Sequence, residues 1–120
     1  IRVGDYVLLL PGDIEQRRER DVVAYWGPDV QSDWLLAAHH GSRTSSSVTF
    51  LNRVQPDVSV ISSGYANPFG HPHPDIVQRL QEQGIGIYST MTDGAVEFEL
   101  APGEPLRTMS YRQQLRYYWM

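Results

Sequence analysis

Leu35-Leu36-Ala37-Ala38-His39-His40-Gly41-Ser42 is an apolar run that stops at two adjacent histidines, a glycine and a serine. A short apolar run bounded by turn residues reads as a buried strand, and its polar end then falls at the strand's carboxyl terminus. In open α/β sheets that is the edge where ligand and catalytic groups gather. All four histidines stand in pairs, at 39 and 40 and at 71 and 73.

Working outward, the spacing predicts a strand over 3–10, apolar on both faces as in sheets covered on both sides. Pro11-Gly12-Asp13 ends it and leaves Asp13 at its tip. A helix is expected over 15–25, with Val22, Val23 and Trp26 inward and residues 16–20 as its solvated face. The second strand covers 33–38, and residues 41–47 form a polar loop whose serines can cap a helix over 48–54. A third strand over 58–62 follows, then a loop over 63–74 carrying the second histidine pair. A helix over 75–83 stops at Gly84, and a fourth strand covers 85–89. Asp93-Gly94 reads as a hairpin turn into an alternating strand over 95–100. This alternation of strand and helix defines an α/β class with helices layered on a sheet.

Composition narrows the function classes. With 120 residues the chain is one domain or part of one, and 41% hydrophobic and 20% charged residues are ordinary for a globular chain. There is no cysteine, hence no disulfide framework or thiolate ligand. No apolar run approaches the roughly 20 residues that span a bilayer. The net charge of -4 argues against binding nucleic acid through bulk charge. Every basic residue is arginine, which suits bidentate phosphate contacts but more often reflects codon bias.

Three groups carry potential chemistry. Asp13 follows the first strand, where an Asp also serves as a helix cap. His39 and His40 follow the second; neighbouring side chains diverge, so one is a metal ligand and the other a supporting or substrate group. Gly70-His71-Pro72-His73-Pro74-Asp75 contains a His-x-His-x-Asp spacing, but prolines fill the gaps and Asp75 sits where a helix cap is expected. It reads as a rigid loop aiming imidazoles at a substrate, or as a structural turn. Asp13 and His39 are one strand–helix–strand crossover apart, so parallel strands would bring both to one sheet edge. Together they make part of a zinc or manganese site, with too few ligands for a whole one.

Gly12-Asp13-Ile14-Glu15, the run from Leu35 to Ser47 and Gly70-His71-Pro72-His73-Pro74, in that order, resemble the carboxyl-terminal metallo-β-lactamase-like domain of the ComEC family, inner-membrane DNA-uptake channel proteins of bacterial competence. The resemblance extends from about residue 3 to residue 100. It implies an αββα sandwich in which two divalent metal ions, Zn or Mn, activate water to cut phosphodiesters of single-stranded DNA during uptake. On that resemblance Asp13 bridges the metals and His39, ahead of His40, is the last histidine ligand. His40, His71 and His73 face the phosphate as catalytic groups, with Ser42 and Arg43 binding substrate.

The family's main ligand motif, HxHxDH, would lie upstream of Gly12-Asp13. Residues 1–105 therefore match the C-terminal half of such a domain, and 106–120 form an arginine- and aromatic-rich tail without assignment. Partners expected on this basis are DNA, the upstream half of the domain and the channel region, with an exposed sheet face that favours a homodimer. The chain alone is expected to be inactive and metal-free, as a soluble domain of an inner-membrane protein on the periplasmic face, or alternatively the cytoplasmic one. Two other readings stand beside this one: a stand-alone lactamase-like phosphodiesterase or esterase, and a non-catalytic binding or gating domain.

Overall fold

The computed structural model describes residues 1–112, so residues 113–120 of the tail lie outside it. Strands β1 (Arg2–Val3), β2 (Tyr6–Leu9), β3 (Trp34–Leu36), β4 (Val58–Ile61) and β5 (Gly86–Ser89) form one sheet in that order. β1 pairs antiparallel with β2, and β2 to β5 run parallel. The single strand expected over 3–10 is thus a hairpin, because Gly4, with φ of 59°, turns the chain back after Val3.

Helices α1 (Gln16–Trp26), α2 (Val48–Val54) and α3 (Pro74–Glu82) link the parallel strands. Ser47 caps α2, its side chain accepting a hydrogen bond from Phe50 N at 3.2 Å. The cap of α3 is His73, whose Nδ1 accepts from Asp75 N at 3.2 Å. Asp75, expected in that role, sits in the first turn instead, where its charge meets the helix dipole favourably.

The core lies between the sheet and the helices. Leu35, Ala37 and Ile61 from the strands meet Phe50, Leu51 and Val54 of α2 and Ile76 and Leu80 of α3. Each large side chain buried there contributes about 2 kcal/mol relative to exposure. Val22 and Val23 of α1 pack against this cluster as expected. Trp26 does not: it is 55% exposed and meets Tyr25 edge-on. Asp33 ties the strand entrances together, its carboxylate accepting Val7 N at 2.8 Å and its carbonyl accepting Asp57 N at 2.9 Å.

Register places Leu8, Trp34, Leu36, Val58, Val60 and Tyr88 on the opposite face. Its cover comes from a separate antiparallel ribbon of β6 (Val96–Glu99) and β7 (Arg107–Ser110). Phe98 of β6 sets its ring edge-on to Trp34 and to Tyr88, at 5.3 and 5.5 Å between centroids. Leu8, Trp34, Leu36 and Tyr88 stay partly exposed. Asp93-Gly94 is not a hairpin turn. Residues Thr90–Asp93 form a short helix, α4, Asp93 accepts Ser89 N at 2.9 Å, and β6 leaves the main sheet.

Candidate active site at the carboxyl edge of the sheet

Asp13 follows β2 and the histidine pair follows β3, and these strands are parallel neighbours. The crossover therefore brings both to one edge, as the strand spacing requires. The turn Ala38–Gly41 holds His39 at φ 51° and His40 at φ 56°, both left-handed. Two successive non-glycine residues in that region cost about 1–2 kcal/mol each. Such strain persists only where surroundings over-determine it, and it clusters at functional sites.

The surroundings are identifiable. His39 N donates to Gly12 O and Ser42 N to His39 O, both at 3.0 Å, while His40 Nδ1 lies 2.8 Å from Ser62 O. His73 N donates to Gly41 O at 2.9 Å, joining the two histidine segments. Beneath the turn, Glu19 of α1 is buried at 1% exposure. Its carboxylate accepts Ser46 N at 2.6 Å and Ser47 N at 3.0 Å, and Arg79 Nη1 donates to Ser46 O at 2.6 Å. α1, α2 and α3 are thereby fastened to the serine run that follows the histidines.

Glu19 corrects the reading of residues 16–20 as a solvated face. The signal was available: Glu19 precedes Val22 and Val23 by three and four residues, the spacing of an inward stripe. Replacing Glu19 with Ala leaves two buried N–H groups without acceptors and is expected to cost about 3 kcal/mol. Urea unfolding measures it; a loss under about 1 kcal/mol would mean water replaces the carboxylate.

The two histidines diverge. His40 Nε2 stands 3.6 Å from Asp13 Oδ1, and His39 Nδ1 stands 3.8 Å from Glu15 Oε1. Ligand atoms sharing one tetrahedral cation stand roughly 3.4 Å apart, so the His40–Asp13 spacing suits a shared metal. His39 Nδ1 is buried with no hydrogen-bond partner among the described residues, another feature that suits a cation. Among the described residues no three His, Asp or Glu side chains converge on one point, so what is present fits part of a donor set.

His71 packs its ring against His39 at 5.8 Å between centroids and 73°. His73 spends Nδ1 on the α3 cap, leaving Nε2 for other contacts. Ser42 is buried, and its Oγ exchanges a hydrogen bond with Thr44 Oγ1 at 3.0 Å rather than standing free. Arg43 is exposed. The sheet edge therefore gathers Asp13, Glu15, His39, His40 and His71, with Glu15 a member that sequence reasoning placed only behind Asp13.

Burial lowers the pKa of His71 below its usual 6.5, and repulsion from His39, His40 and His73 adds to the effect. In metal-free protein, native and unfolded chains both hold this ring neutral above that value. As pH falls through 6.5 the unfolded chain takes a proton the native ring resists, so stability declines until the native ring protonates. His71→Gln should flatten this decline in urea unfolding followed from about pH 7.5 to 5.5; an unchanged slope would assign the effect elsewhere.

A cavity of about 300 Å³ beside His40 and His71 is lined also by Ser62, Ser63, Gly64, Asn67 and Phe69. A larger one, about 410 Å³, lies at the opposite, amino ends of β4 and β5 and has no histidine. His40 and His71 line the smaller cavity.

Parallel strands that deliver carboxylates and imidazoles to one edge, beside a cavity, define an α/β domain with a candidate site at that edge. No protein-family profile matches the chain. It is 41% identical over 100 residues to Competence protein ComA of Neisseria gonorrhoeae, across 83% of this chain and 14% of that protein. It is 32% identical over 98 residues to ComE operon protein 3 of Bacillus subtilis, across 82% and 12%. With Recombination protein 2 of Haemophilus influenzae identity is 38% over 93 residues, across 78% and 11%. These homologues point to the ComEC family of competence proteins. The chain spans only 11 to 14% of their length. Among the described residues no helix is long and apolar enough to cross a membrane.

Proposed function

We propose that this chain is the carboxyl-terminal half of a metallo-β-lactamase-like αββα domain whose intact form is a metal-dependent phosphodiesterase cutting DNA during uptake in natural transformation. The observation that carries it is the gathering of Asp13, Glu15, His39, His40 and His71 at the carboxyl edge of parallel strands, with both adjacent histidines in left-handed backbone. The ComEC-family relatives supply the biological setting.

Asp13 with His40, and His39 through its unpartnered Nδ1, would hold the metals, completed by donors of an upstream half. Divalent cations there would make water a nucleophile at neutral pH and offset charge on the departing oxygen. His71, held neutral at pH 7 by its surroundings, can take a proton from the attacking water. His73 through Nε2 and exposed Arg43 would contact phosphate, while Ser42 orders the loop through Thr44. The upstream half would cover the partly exposed sheet face of Leu8, Trp34, Leu36 and Tyr88, a face that otherwise favours a homodimer. The setting proposed is the periplasmic face of an inner-membrane channel protein.

The test is cleavage of single- and double-stranded DNA by the full-length protein with added Mn²⁺ or Zn²⁺ and with chelator. Metal-dependent cutting of single strands is expected. DNA binding without cleavage under any metal would overturn the enzyme reading in favour of a binding or gating domain.

A further inference from the structure

Tyr65 and Phe69 are 82% and 77% exposed, both on the loop that carries His71. Exposed aromatics are unremarkable on a loose loop, but this one is braced. Asn67 Nδ2 donates to the carbonyls of Gly64 and His71, and His71 N donates to Asn67 Oδ1 at 3.0 Å. The base of the loop is pinned by Thr90, whose Oγ1 accepts Ser63 N and donates to Ser63 O, both at 2.9 Å. Phe69 lies tilted by 32° against His71 at 5.8 Å, and His71 meets His39 at the same distance. A line of rings thus runs from the open surface into the histidine cluster.

The cavity beside that line is lined by Ser63, whose Oγ is buried and has no hydrogen-bond partner among the described residues. Its volume, about 300 Å³, is at the small end of ligand sites.

We infer that Phe69 and the cavity it lines, with Tyr65 on the same loop, form a stacking subsite for an unpaired nucleobase next to the phosphodiester presented to the histidines. This rests on the phosphodiesterase reading above and adds to it how the strand is held. A flat base stacks on Phe69 or Tyr65 whatever its identity, and the cavity that Phe69 lines takes its edge. Stacking also answers the charge problem: a chain of net charge -4 gains affinity for a polyanion through ring contact, not bulk attraction. Bases inside a duplex have no free face, so the subsite selects single strands.

The test compares three probes on the full-length protein with chelator present: a labelled oligothymidylate, an abasic oligonucleotide with the same number of phosphates, and a duplex. The wild type should bind oligothymidylate at least tenfold tighter than the abasic strand. Tyr65→Ala combined with Phe69→Ala should lose about tenfold for oligothymidylate and nothing for the abasic strand, while Phe69→Tyr keeps wild-type affinity. Both side chains are exposed, so an unchanged melting temperature verifies folding. Equal affinity for base-bearing and abasic strands, or equal losses on both, overturns the stacking subsite alone. Wild-type protein that binds none of the three overturns the nucleic-acid reading beneath it.

Discussion

Asp13→Ala in the full-length protein is expected to lower metal-dependent phosphodiester cleavage roughly a thousandfold, the size of losing several kcal/mol of transition-state charge stabilisation. The same change should leave stability within about 0.5 kcal/mol of wild type. The separation follows from geometry. The Asp13 side chain is 70% exposed and stands 3.6 Å from His40. What the turn needs for folding is the neighbouring carbonyl of Gly12, which accepts His39 N at 3.0 Å and is untouched by the substitution. Parallel measurement of cleavage rate and urea unfolding checks both halves. Cleavage that survives removes Asp13 from the site, and lost stability reassigns it to the turn.

Gly41→Ala is expected to destabilise the domain by about 3 kcal/mol and to displace both histidine segments together. Gly41 holds φ of 80°, where an L side chain is strained. A Cβ there would also stand 2.8 Å from Pro72 Cβ, 3.1 Å from Pro72 Cα and 3.3 Å from Ile61 Cγ2. None of these atoms can yield easily, since proline is a closed ring and Ile61 is fully buried. Gly84→Ala is the matching control: φ is 70° but an added Cβ meets nothing within 4 Å. It should cost about 1 kcal/mol, the backbone strain alone. Thermal unfolding of the two variants isolates the steric part, and equal losses would show that Pro72 moves aside.

These effects join residues 20 to 31 apart in the chain, and such long-range joining is what one-dimensional patterns carry least well. The strand–helix order was legible because apolar runs and 3.6-residue stripes are local. Gly12-Asp13 and His39-His40 could be placed on one edge because parallel strands joined by a helix leave no other arrangement. The hairpin inside residues 3–10 was hidden because a two-residue turn at Gly4-Asp5 interrupts an otherwise apolar stretch. The Asp93-Gly94 hairpin failed because β7, drawn from the segment treated as tail, pairs with β6 in place of β5. Glu19 was misplaced because a carboxylate on an apolar stripe is costly unless paired, and its partners are the amides of Ser46 and Ser47, on a distant loop.

By itself the sequence determined the α/β class, the carboxyl-edge position of Asp13 and the histidine pair, and the serine cap of α2, all of them consequences of short-range periodicity and turn chemistry. Only the tertiary structure decided which imidazole meets which carboxylate, that the histidine turn is left-handed and the serine run after it clamped by a buried Glu19, and that Phe69 continues the line of rings begun at His39. Those facts depend on side-chain directions and backbone contacts across three crossovers, and no spacing along one chain encodes a distance between elements that meet only when the core closes.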